Sequence, residues 1–369
     1  MHYDIVIVGG GAGGLELASR LGRRLGGRHG KRRVLLIDRS SFHIWKPTLH
    51  EVAAGTLDVH QEGVSYSILG RSNGFNFLLG ELATFDPTAK RLTLKAITGE
   101  DGEVLAPERA ITFTYGVLAV GSGSNLFGTP GAEKAHLLER TEDAEAFHAR
   151  LLAAFTKASF SPERIMRVAI VGGGATGVEL SAELIEAHRE LLDSLGDEQR
   201  FRLDITVVEA APRILNGLPQ KIADKAALAL ERKGVAVKTD AKVLAVHVDR
   251  LETSQGDVPA DLIVWAAGIK AAEANRDFGL EVNRGNQFVR QRSAGDLGSR
   301  RLGPGRLRRR ALEGRQGRSR PRPGRAPAGQ LPGTRDHRAT AIRVESRRRS
   351  SIATSARWCR WATTRAWAR

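Results

Sequence analysis

"YDIVIVGGGAGGLELASRL", residues 3–21, decides the fold. Residues 5–8 are a short continuous apolar run, the pattern of a strand buried on both faces. The run passes directly into Gly9-x-Gly11-x-x-Gly14 and then into an amphipathic helix over 15–25. Gly9 permits the tight turn, Gly11 lets the backbone approach a pyrophosphate, and Gly14 lets helix and strand pack closely. The helix start offers free N–H groups and the positive end of its dipole. A second apolar run, "RVLLID" (33–38), ends in Asp38. An acid there can accept hydrogen bonds from an adenine ribose.

The pattern recurs at 167–187, "RVAIVGGGATGVELSAELIEA", with Gly172-x-Gly174-x-x-Gly177 between strand and helix. The next strand, "DITVVE" (204–209), ends in Glu209. One such glycine motif is weak evidence, because glycine turns are common. Two copies, each followed by an acid-terminated strand, point to two dinucleotides in one chain. Two dinucleotide sites suggest electron transfer between a retained flavin, FAD, and a nicotinamide that comes and goes. Asp38 suits the unphosphorylated ribose of FAD. Glu209 favours NADH over NADPH, since a carboxylate repels a 2′-phosphate; Arg213, close by, could soften that preference.

Charge divides the chain at about residue 290. The whole carries +16, but residues 290–369 hold 23 Arg, no Lys and 4 acidic residues, leaving 1–289 at −3. The first 289 residues read as an ordinary, slightly acidic globular protein. The only cysteine, Cys359, is in the tail, so the body has no disulfide framework, thiolate metal site or redox cysteine pair. No cluster of His, Asp or Glu has metal-ligand spacing. The first residues run straight into a strand, so no signal peptide is expected. No stretch reaches the ~18 apolar residues of a membrane span.

Residues 1–289 resemble type II NADH dehydrogenases, single-subunit NADH:quinone oxidoreductases that carry FAD and do not pump protons. The resemblance runs beyond the glycine motifs. "FHIWKPTLHEVAAGTLD" (42–58) resembles the flavin-side segment, and "LAVGSGSNLFGTPG" (118–131) the connection to the NADH domain. "DLIVWAAGIKA" (261–271) resembles the strand ending that domain, and "GLEVNRGNQFV" (279–289) the return into the flavin domain. One departure is Gly116, where the family usually has Asp after Tyr115; a loosened local turn is expected there.

The resemblance implies an α/β fold of two Rossmann-like domains, glutathione-reductase-like, with the NADH domain inserted in the FAD domain. The expected division is 1–127 (FAD domain, first part), 128–272 (NADH domain), 273–289 (return segment) and 290–369 (aberrant tail). It implies cofactor contacts at Lys46, Ala119, Gly121 and Gly268 besides the six motif glycines and two acids. Glu179 matches the acid linked to nicotinamide positioning and quinone reduction; the plainer reading makes Glu179 and Glu183 polar positions on one helix face. His43 and His50 read as packed or capping histidines, and Trp45 and Trp265 as core or cofactor-wall residues. The implied partners are NADH, a quinone and the cytoplasmic face of the membrane, with a homodimer left open. A reductase for another acceptor and a nucleotide sensor without turnover are the other readings of the body.

The tail lacks three segments the resemblance calls for: an Ala-x-Gly-Asp stretch, an Ala-Gln-x-Ala-x-Gln-Gln helix and a membrane-facing amphipathic region. It has no sustained period of 2 or 3.6, and is too charged and too poor in apolar residues to fold. Its Arg, Gly, Pro and Ala have GC-rich codons, the composition of a GC-rich gene read out of frame. Taking the last two bases of each codon with the first of the next, 294–301 ("AGDLGSRR") can encode Pro-Glu-Ile-Trp-Ala-Leu-Gly-Asp. Residues 321–333 ("PRPGRAPAGQLPG") can likewise encode Arg-Ala-Gln-Ala-Ala-His-Gln-Gln-Ala-Asn-Tyr-Leu-Ala. In the third frame, 355–367 can encode a later family-like segment. The hypothesis is a lost frame near 290 and a second shift before 355; accurate resequencing that confirms the written frame would sink it. The rival reading is an arginine-rich nucleic-acid-binding tail, with Trp358, Trp361 and Trp367 stacking on bases. No nucleic-acid partner is expected on the frame reading.

Overall fold

The apolar run at 5–8 is the inner part of a longer strand, β1 (His2–Val8), in which Val6, Ile7 and Val8 are buried. The structure, a computed structural model, describes residues 1–289 apart from Glu100. The tail expected to be frame-shifted and disordered lies outside the described residues.

β1 pairs in parallel with β2 (Val34–Asp38), which pairs in parallel with β3 (Asn76–Leu79). β4 (Leu82–Asp86), β5 (Arg91–Leu94) and β6 (Arg109–Leu118) complete a six-stranded sheet in the order β3-β2-β1-β6-β5-β4. β6 runs parallel to β1, β5 antiparallel to β6, and β4 antiparallel to β5. The strand period of two sorts the buried residues by face. Val6, Val8, Leu35 and Ile37 join Phe85, Phe113 and Phe278 on one side. Ile7, Val34 and Leu36 join Ala18, Tyr66 and Phe75 on the other. Covering that second face are α1 (Ala12–Arg24) and, after α2 (Leu49–Ala54) in the chain, α3 (Tyr66–Asn73), and α1 and α3 pack together.

The second sheet is all parallel, in the order β9-β8-β7-β10, from β7 (Ile165–Val171), β8 (Arg202–Val208), β9 (Ala236–Lys238) and β10 (Leu262–Trp265). α4 (Thr141–Phe160) precedes it, and α5 (Ala175–Ser194) and α6 (Gln220–Arg232) connect its strands. A three-stranded antiparallel meander, Val243–Val246, Arg250–Thr253 and Gly256–Pro259, packs Val243, Leu251 and Val258 against Val171, Val208 and Trp265.

The chain leaves and re-enters the first sheet through one ribbon, in which Ser122–Ser124 pairs antiparallel with Ile269–Ala271. After it, Phe278 is buried in the first core and Leu280 and Phe288 pack against it. α2 packs against both α4 and α5.

Two expectations need correction. The first helix begins at Ala12 rather than at 15, because the close approach of Gly14 to Gly9 already carries the helical turn. Gly116 lies inside β6, opposite Val6, and not in a turn. A Cβ there would stand 2.8 Å from the Phe113 and Phe85 rings, so glycine makes room for that stacked pair.

Candidate functional site

Parallel strands gather their carboxyl ends on one edge, and both glycine turns sit there. In the first, Gly9 N–H donates to Ile37 O at 2.8 Å and Ala119 N–H to Val8 O at 2.7 Å, which ties the ends of β1, β2 and β6 together. Gly9 has φ +104°, and a Cβ on it would lie 2.3 Å from Ala119 O; a Cβ on Gly14 would lie 1.8 Å from Gly9 O. Gly11 has nothing within 4 Å of its Cβ position. It begins α1 with no side-chain cap and no acid in the first turn. The free N–H groups of that turn are left for a ligand.

The second turn repeats the plan. Gly172 N–H donates to Val208 O at 2.8 Å and Ala266 N–H to Val171 O at 2.8 Å. Gly172 has φ +108°, and its Cβ would meet Ala267 Cα at 2.8 Å; the Cβ of Gly177 would meet Gly172 O at 2.0 Å. Gly174 faces open space and begins α5 uncapped.

The two acids occupy equivalent places. Asp38 Oδ2 accepts Gly10 N–H at 2.6 Å and its Oδ1 accepts Ser40 N–H at 2.9 Å. Glu209 Oε2 accepts Gly173 N–H at 2.7 Å and its Oε1 accepts Ala211 N–H at 2.8 Å. Each carboxylate therefore holds its own glycine turn. Arg213 donates to Leu218 O and Asn216 O, both at 3.0 Å. Its guanidinium is engaged with its own loop.

A small cleft is lined by Lys46, Ser124, Glu139, Thr176, Trp265 and Gly268. Lys46 Nζ donates to Ser122 O at 2.9 Å, and burial holds its pKa below the usual value against the opposing pull of Glu139. Gly268 has φ +68° and Gly121 φ +77°, so the ribbon strands are flanked by left-handed turns. Trp265 is core, 3% exposed, with Nε1 donating to Asn125 O and Ala267 O. Trp45, 46% exposed, is not a core residue.

Glu179 lies one helical turn beyond Thr176 on α5 and meets α2. Its Oε2 is 3.7 Å from His50 Nδ1, and His50 Nε2 is 3.9 Å from Glu51 Oε1. Burial, aided by the Glu51 charge, pushes the Glu179 carboxyl up to about 7. Burial lowers His50 to about 4, opposed by a hydrogen bond to Pro47 O, so the imidazole is neutral at pH 7 and these are not ion pairs. Burial raises Glu51 as well, with Glu183 and Glu62 adding to it. Glu183 accepts from Thr56 Oγ1 at 2.5 Å, a tie between the α2 side and α5.

A match to the pyridine nucleotide-disulphide oxidoreductase family covers residues 3–294. The chain belongs to that family. It is 38% identical over 306 residues to a type II NADH:quinone oxidoreductase of Haemophilus influenzae, covering 78% of this chain and 69% of that protein. It is 30% identical to the external alternative NAD(P)H-ubiquinone oxidoreductase B2, mitochondrial, of Arabidopsis thaliana, covering 77% of this chain and 50% of that one. The chain thus spans about two thirds of the bacterial relative and half of the plant relative. Among solved structures, NDH2 from Plasmodium falciparum in complex with NADH shares the fold, with a TM-score of 0.64 and 22% identity over 75% of this chain and 57% of that one.

The family chemistry asks for two pyrophosphate cradles, and both are present: Gly11 and Gly174 are open where a Cβ would point, each at an uncapped helix start. The structure brings Lys46 and Gly268 together in one cleft and sets Ala119 against the first turn. Gly121 is exposed beside Ser122, the acceptor of Lys46, and has nothing within 4 Å of its Cβ position. Tyr66, whose hydroxyl donates to Gly10 O at 2.8 Å, is the residue that sequence reasoning missed. It sits outside every motif, and no spacing signals it. No helix among the described residues is long and apolar enough to cross a membrane, and no group of three or more His, Cys, Asp or Glu among them is placed to hold a metal.

Proposed function

We propose that the protein is an FAD-dependent NADH dehydrogenase that holds FAD at the first glycine turn and NADH at the second, and passes electrons to a membrane quinone. The observation that carries this is the pair of equivalent turns, each braced by an acid and each opening an uncapped helix, within a body that has no cysteine to act as a thiol acceptor. The division 1–127, 128–272 and 273–289 belongs to the same reading, supported by the single ribbon through which the chain leaves and returns.

Bound at the first turn, FAD supplies acceptance of a hydride from NADH. The chain's own residues orient and exclude. The N–H groups after Gly11 and Gly174 bind pyrophosphates, while Asp38 and Glu209 accept from ribose hydroxyls. Lys46, Thr176 and Gly268 shape the space where the reacting rings meet, and alignment there is the protein's main contribution. Glu179, with a carboxyl that titrates near neutral pH, is suited to hold or release a proton beside that space. A quinone takes two electrons and two protons to become a quinol, so an acid able to change protonation at working pH fits this reaction. The membrane contact, at the cytoplasmic face, would lie with segments the relatives have beyond this chain's match.

The test is the visible spectrum of the purified chain reconstituted with FAD, before and after anaerobic NADH. A band near ~450 nm that bleaches with NADH is expected for hydride transfer to a bound flavin. A bound flavin that saturating NADH leaves oxidised overturns the reading.

A further inference from the structure

The two glycine turns are built alike except at one carbonyl. Gly10 and Gly173 occupy the same place, and each gives its N–H to an acid. Gly173 O accepts Leu215 N–H at 2.7 Å, a main-chain brace from the loop after Glu209. Gly10 O is held by side chains: Tyr66 OH donates at 2.8 Å, and His43 Nδ1 lies 3.1 Å away.

Both side chains come from one small ribbon. Phe42–His43 pairs antiparallel with Val64–Ser65, and Tyr66 N–H donates to Ser41 O at 3.1 Å. Tyr66 is 3% exposed, stacked on Phe77 with ring centroids 4.9 Å apart and edge-to-face with His43 at 5.9 Å. Its hydroxyl is out of reach of bulk water, and a buried hydroxyl without a partner is costly. A carbonyl oxygen has two lone pairs, so Gly10 O can take both donors, which assigns the His43 proton to Nδ1. A Cβ on Gly10 would stand 2.5 Å from the Tyr66 ring, so the peptide and the ring are fitted to each other.

We propose that Tyr66 and His43 are positioning residues of the first dinucleotide turn: they fix the Gly10 peptide so that the free N–H groups after it face the pyrophosphate of a retained cofactor. This rests on the reading that the first turn takes FAD. Gly10 is clamped on both sides, its N–H by Asp38 and its C=O by the Tyr66–His43 pair, so the peptide groups before and after it are both held. With those groups fixed, the turn that follows is organised before the ligand arrives, and less ordering is left for binding to impose. The second turn, serving a nicotinamide that must leave in each cycle, has no such side-chain clamp among the described residues.

Amide hydrogen exchange on the full chain tests this without needing any cofactor. Tyr66→Phe keeps the ring volume and removes one hydrogen bond. Its expected effect is exchange about fivefold faster over 9–15, unchanged exchange over 172–178, and FAD binding about fivefold weaker with NADH affinity unaltered. His43→Asn keeps a donor near the Nδ1 position and should behave as the parent chain, whereas His43→Leu should match Tyr66→Phe. Unchanged exchange over 9–15, or an equal rise over both turns, overturns the proposal. If the exchange pattern appears but NADH rather than FAD protects 9–15, the brace stands and the assignment of FAD to the first turn fails.

Discussion

His50 Nδ1 and Glu179 Oε2 face each other at 3.7 Å across the contact of α2 with α5. Both are drawn toward neutrality by burial, in opposite directions along the pH scale: His50 down to about 4, Glu179 up to about 7. A histidine that is neutral in the fold adds stability above its ordinary value of 6.5, and that stability is lost as pH falls from about 6.5 through about 4. Replacing His50 by Gln should flatten this acid limb by on the order of 2–3 kcal/mol. Urea melts at pH 7 and pH 4.5 check it.

Glu179 acts on the other limb. Its raised value favours the fold below about 4.5 and costs stability as pH rises through about 7. One third of the side chain is exposed, so solvent screening reduces the effect. Glu179→Gln should stabilise the chain by about 1–2 kcal/mol at pH 8 and by much less at pH 4.5. Equal effects at both values would mean that Glu179 does not titrate in this window.

Gly11 and Gly14 look equivalent in the motif but should fail differently. A methyl at Gly14 would collide with Gly9 O, so Gly14→Ala should lower stability by about 2–4 kcal/mol. A methyl at Gly11 meets no protein atom within 4 Å. Gly11→Ala should therefore melt with the parent chain and lose dinucleotide affinity. Gly177→Ala and Gly174→Ala should repeat the contrast at the second turn. Thermal melts with and without NADH or FAD separate the two classes.

These contrasts also mark what the sequence could convey. The strand runs, both glycine turns and their terminal acids were legible because each depends on local period and spacing, and the structure places them together. The acids' second task was not legible: Asp38 binding Gly10 and Glu209 binding Gly173 appear only once β2 and β8 lie beside β1 and β7. His50 was readable as a packed histidine, but its partner Glu179 is 129 residues away on a helix of the other sheet. Tyr66 carried no signal, since the ribbon that aims it is two residues per strand.

Glu209 should decide between nicotinamide cofactors because its competitor is engaged. Arg213 gives its guanidinium to Leu218 O and Asn216 O and is not turned toward Glu209. Glu209→Ala removes the acceptor of two main-chain N–H groups, each bond to a charged group being worth about 1.5–3 kcal/mol. NADH affinity should fall at least tenfold, and the preference for NADH over NADPH should narrow. Calorimetric titration of both nucleotides measures this; an unchanged ratio would move the source of selectivity elsewhere.

β6 pairs with β1 from Thr112 to Leu118, but with β5 only from Arg109 to Thr112. Among the described residues its second edge is therefore unpaired over 114–118, with Tyr115 58% exposed. Such an edge is a template for another strand. The alternative frame of 294–301 reads Pro-Glu-Ile-Trp-Ala-Leu-Gly-Asp, a short apolar run ending in Gly-Asp. Paired in parallel with β6, it would bring that Gly-Asp to the strand ends where Gly9 and Ala119 lie. A gene corrected to this frame should yield protein that purifies with about one FAD per chain, as a complete flavin cradle requires. The chain as written should hold distinctly less. A proline at the Trp of the restored run should return the corrected protein to the lower value, because proline removes a ladder hydrogen bond. Equal flavin content in the written and corrected chains would show that residues 1–289 suffice, and that the edge of β6 needs no fifth parallel strand to hold the cofactor.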